Sequence, residues 1–165
     1  MQSIIAKIAT ILNWLSGTFI ILMLAITVAD VFGKSVLNLP FKGSLEIISY
    51  YCMIGSVFLA LPYVTLKREH ISSDIVYTNL SQRKKEVMNA FALFVSLFFF
   101  GLFAYYMSIE AYRSFVIREE AFGSVFIPIW PSKLMMPIGL ILSATVILVS
   151  LGRRFKGIES FADEE

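Results

Sequence analysis

One histidine, His70, and one cysteine, Cys52, are the sole imidazole and thiol in 165 residues. A haem slung between helices needs paired axial histidines, and a disulfide-generating quinone enzyme needs pairs of cysteines. One of each excludes both in their usual forms. His70 has no second histidine or cysteine nearby, so it reads as a hydrogen-bonded loop residue rather than a metal ligand. Cys52 can form no internal disulfide and is expected to pack inside an apolar helix. The chemistry left is electrostatic and sits in one short run. Asp30 and Lys34 are four residues apart, in the acid-before-base order that favours pairing on a helix face. Glu46 follows Gly43-Ser44-Leu45, with Ser44 as the expected N-cap of a helix and Glu46 in the first turn, where the helix dipole favours a negative charge. A charge near a membrane boundary is costly unless paired, so Lys34 should find Asp30, Glu46 or a carboxylate on another chain.

The elements that must position these residues are apolar helices. Hydrophobic residues make up 58% of the chain and charged residues 16%, against about 45–50% and about 25% in ordinary soluble domains. Four charge-free stretches stand out: Ile8–Ala29, Ile47–Leu66, Val87–Ile109 and Leu134–Leu151, of 22, 20, 23 and 18 residues. About 20 helical residues cross a hydrocarbon layer of about 30 Å. A soluble bundle would carry a polar stripe every three or four residues, yet Phe91–Phe103 offers only Ser96 and Phe19–Ala29 only Thr27. The expected fold is therefore an all-α integral membrane protein, residues 1–165 forming a single domain with spans at about 8–31, 45–66, 87–109 and 131–151. The first span exceeds the roughly 7–15 residues of a signal-peptide core and is followed by Asp30 rather than a small-residue cleavage site, so it is expected to stay in the mature protein. Nine lysines and arginines fall on the side of the termini and the central loop and five on the other, which places both termini in the cytoplasm.

The loops carry further detail. Ile71, Ile75, Val76 and Leu80 recur at helical spacing between polar residues, which predicts a short amphipathic helix over about 71–80 lying on the cytoplasmic surface. Arg83, Lys84 and Lys85 then form a basic cluster suited to anionic lipid head groups. From Ile109 no helix breaker occurs until Gly123, so the third helix is expected to continue past the membrane. Pro128, Trp130 and Pro131 introduce the fourth span, with Trp130 at the interface.

In combination these segments resemble a known family. Asp30-Val-Phe-Gly-Lys34, with Pro40 and Gly43-Ser44-Leu45-Glu46 after it, looks like the signature of the small membrane (Q) subunit of tripartite ATP-independent periplasmic (TRAP) transporters. So does Gly55 in the second span followed by Lys67-Arg68-Glu69-His70-Ile71-Ser72-Ser73-Asp74, then Pro128-Ile129-Trp130 before the last span and Pro137-Ile138-Gly139 inside it. The match runs in order over nearly the whole chain. One departure is Lys34, where arginine is usual; lysine keeps the charge and loses the bidentate fork. The resemblance implies a scaffold partner of a large membrane subunit, which would hold the sodium and substrate sites, in sodium-coupled uptake of an organic acid such as sialic acid or a dicarboxylate. A periplasmic binding protein would deliver the substrate. It implies a bacterial inner-membrane location and no catalysis or cofactor in this chain. Membrane lipids are expected partners and nucleic acid is not. Asp30, Lys34, Gly43, Ser44, Glu46, Gly55, His70, Asp74, Pro128, Trp130, Pro137 and Gly139 would be structural or interface positions, and Lys42, Arg113, Arg118, Glu119 and Glu120 candidates for docking the binding protein. Two other functions compete: an autonomous four-helix exporter, which needs a membrane-embedded carboxylate for which Glu46 is the sole candidate, and a non-transport membrane assembly protein.

Overall fold

The computed structural model describes residues 2–36, 38, 41–67, 82–121, 123 and 125–155. Four long helices account for most of them: α1 (Gln2–Val36), α2 (Ser44–Leu66), α3 (Gln82–Ile117) and α4 (Trp130–Phe155). All four are long and apolar enough to cross a membrane. The amphipathic helix expected over 71–80, with His70 and Asp74, lies outside the described residues. Arg83, Lys84 and Lys85 fall in the first turns of α3, and their side chains are likewise outside the description.

The helices do not form a bundle around a common core. α1 packs on α2, α2 on α4, and α4 on α3, so the spatial order is α1–α2–α4–α3 and the protein is a row one helix thick. Burial follows that order. In the most apolar part of the two central helices, 22% and 33% of residues are buried, against 6% in each edge helix. In water such a row would not hold; in lipid the exposed apolar faces cost nothing and close approach of small residues does the packing.

The crossings occur at small residues. At the α1–α2 contact, Gly55 lies against the Phe19 ring, where an added Cβ would come within 2.6 Å of it. Ser16 Oγ donates to the Ser56 carbonyl nearby at 2.6 Å. At the α2–α4 contact, Gly139 sits directly on the backbone carbonyl of Phe58, with no room for a Cβ. Pro62 and Pro137 are both buried in this region. On α3 the buried side chains are again small: Ala104, Ala111 and Ser114.

Two local features depart from expectation. Ser44 is not an N-cap. The cap position is Gly43, whose φ of 90° needs a residue without a Cβ, and no side chain caps the helix. Ser44 has already turned into the helix and is buried. The second is a π-helical segment at Ile48–Cys52 inside α2. One residue more per turn shifts the phase of everything after it. Cys52, fully buried, lies in it, as the sequence led one to expect. The third helix does run past the apolar stretch, to Ile117, but stops well before Gly123.

Candidate functional site

The residues singled out by type and spacing gather at one end of the row, where α1 and α3 finish and α2 and α4 begin. Lys34 Nζ donates to Asp30 Oδ2 at 2.5 Å, one turn away on α1. The other oxygen, Asp30 Oδ1, accepts from the backbone N–H of Phe41 at 3.2 Å. Asp30 thus ties the end of α1 to the turn that leads into α2, and Ser44 also interacts with its carboxylate. Of the three partners open to Lys34, Asp30 is the one taken. The lysine side chain is still 53% exposed.

A second layer closes over the first. α3 ends at Arg118, a non-glycine residue with φ 52°. The Glu119 N–H donates to the Ser114 carbonyl at 3.0 Å and the Arg118 N–H to the Phe115 carbonyl at 3.3 Å. This is a Schellman motif, usually completed by glycine. The Arg118 guanidinium lies 5.9 Å from the Phe115 ring centre and 5.8 Å from that of Trp130. Those cation–π contacts offset the cost of the left-handed backbone. The chain then doubles back: Ala121 N–H donates to Ile127 O at 2.8 Å and Ile129 N–H to Glu119 O at 2.9 Å, around a bridge between Glu120 and Pro128.

The folded-back segment rests on the start of α2. Val125 and Ile127 cover Gly43, and Gly123 faces the Glu46 carboxylate so closely that a Cβ would collide with it. Tyr51 donates its hydroxyl to the Pro128 carbonyl. Lys133, in the first turn of α4, donates to Glu119 at 2.6 Å and to Glu110 at 3.0 Å. The Lys133 ammonium beside it holds the Glu119 carboxyl below the usual glutamate range. Ser114, 1% exposed, lies near these groups with its hydroxyl outside hydrogen-bond geometry.

Of the proposed docking residues, Lys42, Arg113, Arg118 and Glu120 are exposed, while Glu119 is partly covered and used internally. Gly55, Pro137 and Gly139 belong to the helix crossings instead. Tyr51, Gly123 and Lys133 were not singled out by sequence. Lys133 had one signal, a lone cation opening an apolar span. Among the described residues no three His, Cys, Asp or Glu side chains come together as a metal site. The arrangement is a set of struts between helix ends.

The family model for tripartite ATP-independent periplasmic transporters, DctQ component, matches residues 23–157. The chain belongs to that family. As a DctQ component it is a small permease subunit of a TRAP transporter and a multi-pass inner-membrane protein, and the family is one of transporter components rather than enzymes. The matched region takes in Asp30, Gly55, the doubled-back segment and Gly139, while Ser16 and Phe19, on the α1 side of the first crossing, precede it. No curated protein and no solved structure gave a match.

Proposed function

We propose that this DctQ component is a static scaffold beside a large membrane subunit that carries an organic acid with sodium, the acid being handed over by a periplasmic binding protein. The observation that supports this reading is the make-up of the charged end. Asp30, Lys34, Glu110, Glu119 and Lys133 are spent on one another and on a backbone N–H, and the helices between their ends carry no charge through Ile8–Ala29, Ile47–Leu66 and Leu134–Leu151. An ion or proton path through this chain would need polar groups at mid-membrane depth. The nine-to-five basic asymmetry supports cytoplasmic termini, with the strutted end toward the periplasm. There Lys42, Arg113, Arg118 and Glu120 would be within reach of the binding protein. The substrate, sialic acid or a dicarboxylate, would be chosen by the partners.

The test is reconstitution. This chain and its cognate large subunit, purified together and placed in liposomes with binding protein and an inward sodium gradient, should accumulate the acid. Either membrane subunit alone should not. Uptake by this chain alone would overturn the proposal in favour of an autonomous transporter.

A further inference from the structure

The strutted end carries five acidic and five basic residues, but they are not equally shown to solvent. Asp30 is tied to Lys34, and Glu110 and Glu119 to Lys133. Glu46 is half-buried against Gly123. Among these acids Glu120 alone is exposed and makes no ion pair with the described residues. On the basic side Lys42, Arg113 and Arg118 are all exposed and make none either. Balanced in number, this end is electropositive in the charge it leaves unanswered.

Arg118 adds an independent observation. It holds a φ of 52°, at a helix end that glycine closes without cost. A side chain kept on such a backbone has its reason in what the side chain does. Its guanidinium is held 5.9 and 5.8 Å from the Phe115 and Trp130 ring centres. A guanidinium on aromatic rings keeps its N–H fork, which matches a carboxylate. Lys42 stands at the far side of the same structure. The doubled-back segment begins just after Arg118, and its Val125 and Ile127 cover Gly43, next to Lys42. Glu119 braces that segment to Lys133 of α4, and Pro128 braces it to Tyr51 of α2. A surface already ordered loses less freedom on binding. Lipid phosphate suits these cations less well. Basic residues that serve head groups snorkel on free stems, and the anionic attraction is strongest on the cytoplasmic leaflet. Arg118 is pinned, and Glu120 is exposed two residues beyond it.

We infer that Lys42, Arg113 and Arg118 form an electropositive docking surface for carboxylates on the periplasmic binding protein, with Arg118 as the anchor. The inference rests on the scaffold function proposed above, with the strutted end facing the periplasm, and the test separates the two. The complex of this chain with its large subunit is placed in lipid nanodiscs, and association and dissociation of the cognate binding protein are timed at ionic strengths of roughly 0.05 M and 0.5 M. Association with the parent complex should slow at the higher salt. Lys42→Met should slow association about threefold at low salt, its share of electrostatic steering, and leave dissociation unchanged. Arg118→Asn, which accepts the same left-handed turn, should also speed dissociation about tenfold, as expected for an anchoring charge. Glu120→Gln should quicken association. If the binding protein binds but its association ignores salt, or neither Lys42→Met nor Arg118→Asn changes the rates, or Glu120→Gln slows association, the docking surface is refuted while the scaffold function stands. The same holds if the Arg118→Asn effect vanishes in nanodiscs of phosphatidylcholine without phosphatidylglycerol, since the arginine then serves head groups. If the binding protein never binds the parent complex, the proposed hand-over fails and this inference fails with it.

Discussion

Replacing Lys133 by methionine keeps the aliphatic stem and removes the charge that ties α3, the doubled-back segment and α4 together. The structure sets the size of the effect. The lysine side chain is 18% exposed and that of Glu119 29%, with 2.6 Å between them. A charge-assisted hydrogen bond this well covered is worth about 1.5–3 kcal/mol. Glu110, at 3.0 Å, is 50% exposed and adds at most about 0.5 kcal/mol. Lys133→Met should therefore cost about 2 kcal/mol, or a fall of about 4–8 °C in the melting temperature for a chain of this size. The assay is a fluorescence-monitored melt in detergent, beside the exposed Lys42→Met as control, which should move stability by less than about 0.5 kcal/mol. The sign with pH is fixed. Glu119 ionises more readily in the folded chain than at its ordinary value of 4.5. Its contribution is complete above that value and is lost as the pH falls through the lower, folded one. The gap between parent and Lys133→Met should thus be full at pH 7 and close under acid conditions below about pH 4.5. If Lys133→Met melts with Lys42→Met at pH 7, Lys133 is not a strut.

Three further substitutions probe the frame. Gly139→Leu drives a side chain into the Phe58 carbonyl, so the monodisperse fraction on size exclusion should collapse, while Gly152→Leu, which opens onto free space, should leave it intact. Tyr51→Phe deletes the hydroxyl that reaches Pro128 and should lower stability by about 0.5–1.5 kcal/mol in the same melt. Arg118→Val places a β-branched residue at φ 52° and removes both cation–π contacts, for a loss of about 1–3 kcal/mol. Arg118→Gly, which relieves the backbone, should lose less; a larger loss for glycine than for valine would mean the backbone strain is immaterial.

The four spans were legible because absence of charge over about 20 residues is a strong, local signal. The Asp30–Lys34 pair was legible because helical spacing alone brings the two side chains together. What spacing could not give is which helix packs on which. That is decided by single small residues, Gly55 under Phe19 and Gly139 on the Phe58 carbonyl, whose meaning depends on a neighbour far away in sequence. Ser44 was misread for a related reason. Its type suits an N-cap, but Gly43 before it can take the left-handed turn, which moves the cap back by one residue. The end of α3 gave no warning, because arginine rather than glycine closes it. The π-helical turn at Ile48–Cys52 has no sequence mark that we can identify.

The order of helices in the row has a consequence for how the chain is made. α1 and α2 emerge from the ribosome in succession and are neighbours, so they can pair at once. α3 emerges third, yet its principal neighbour is α4 and not α2. Until the last helix arrives, α3 has no lasting contact with the finished half. α4 must then slot between two helices already in the membrane, fitting Gly139 to Phe58 on one side and meeting Ala104 and Ala111 on the other. The last helix to be synthesised is the one that joins the two halves, so a chain truncated before Trp130 would keep a pair and a stray helix rather than three-quarters of a fold.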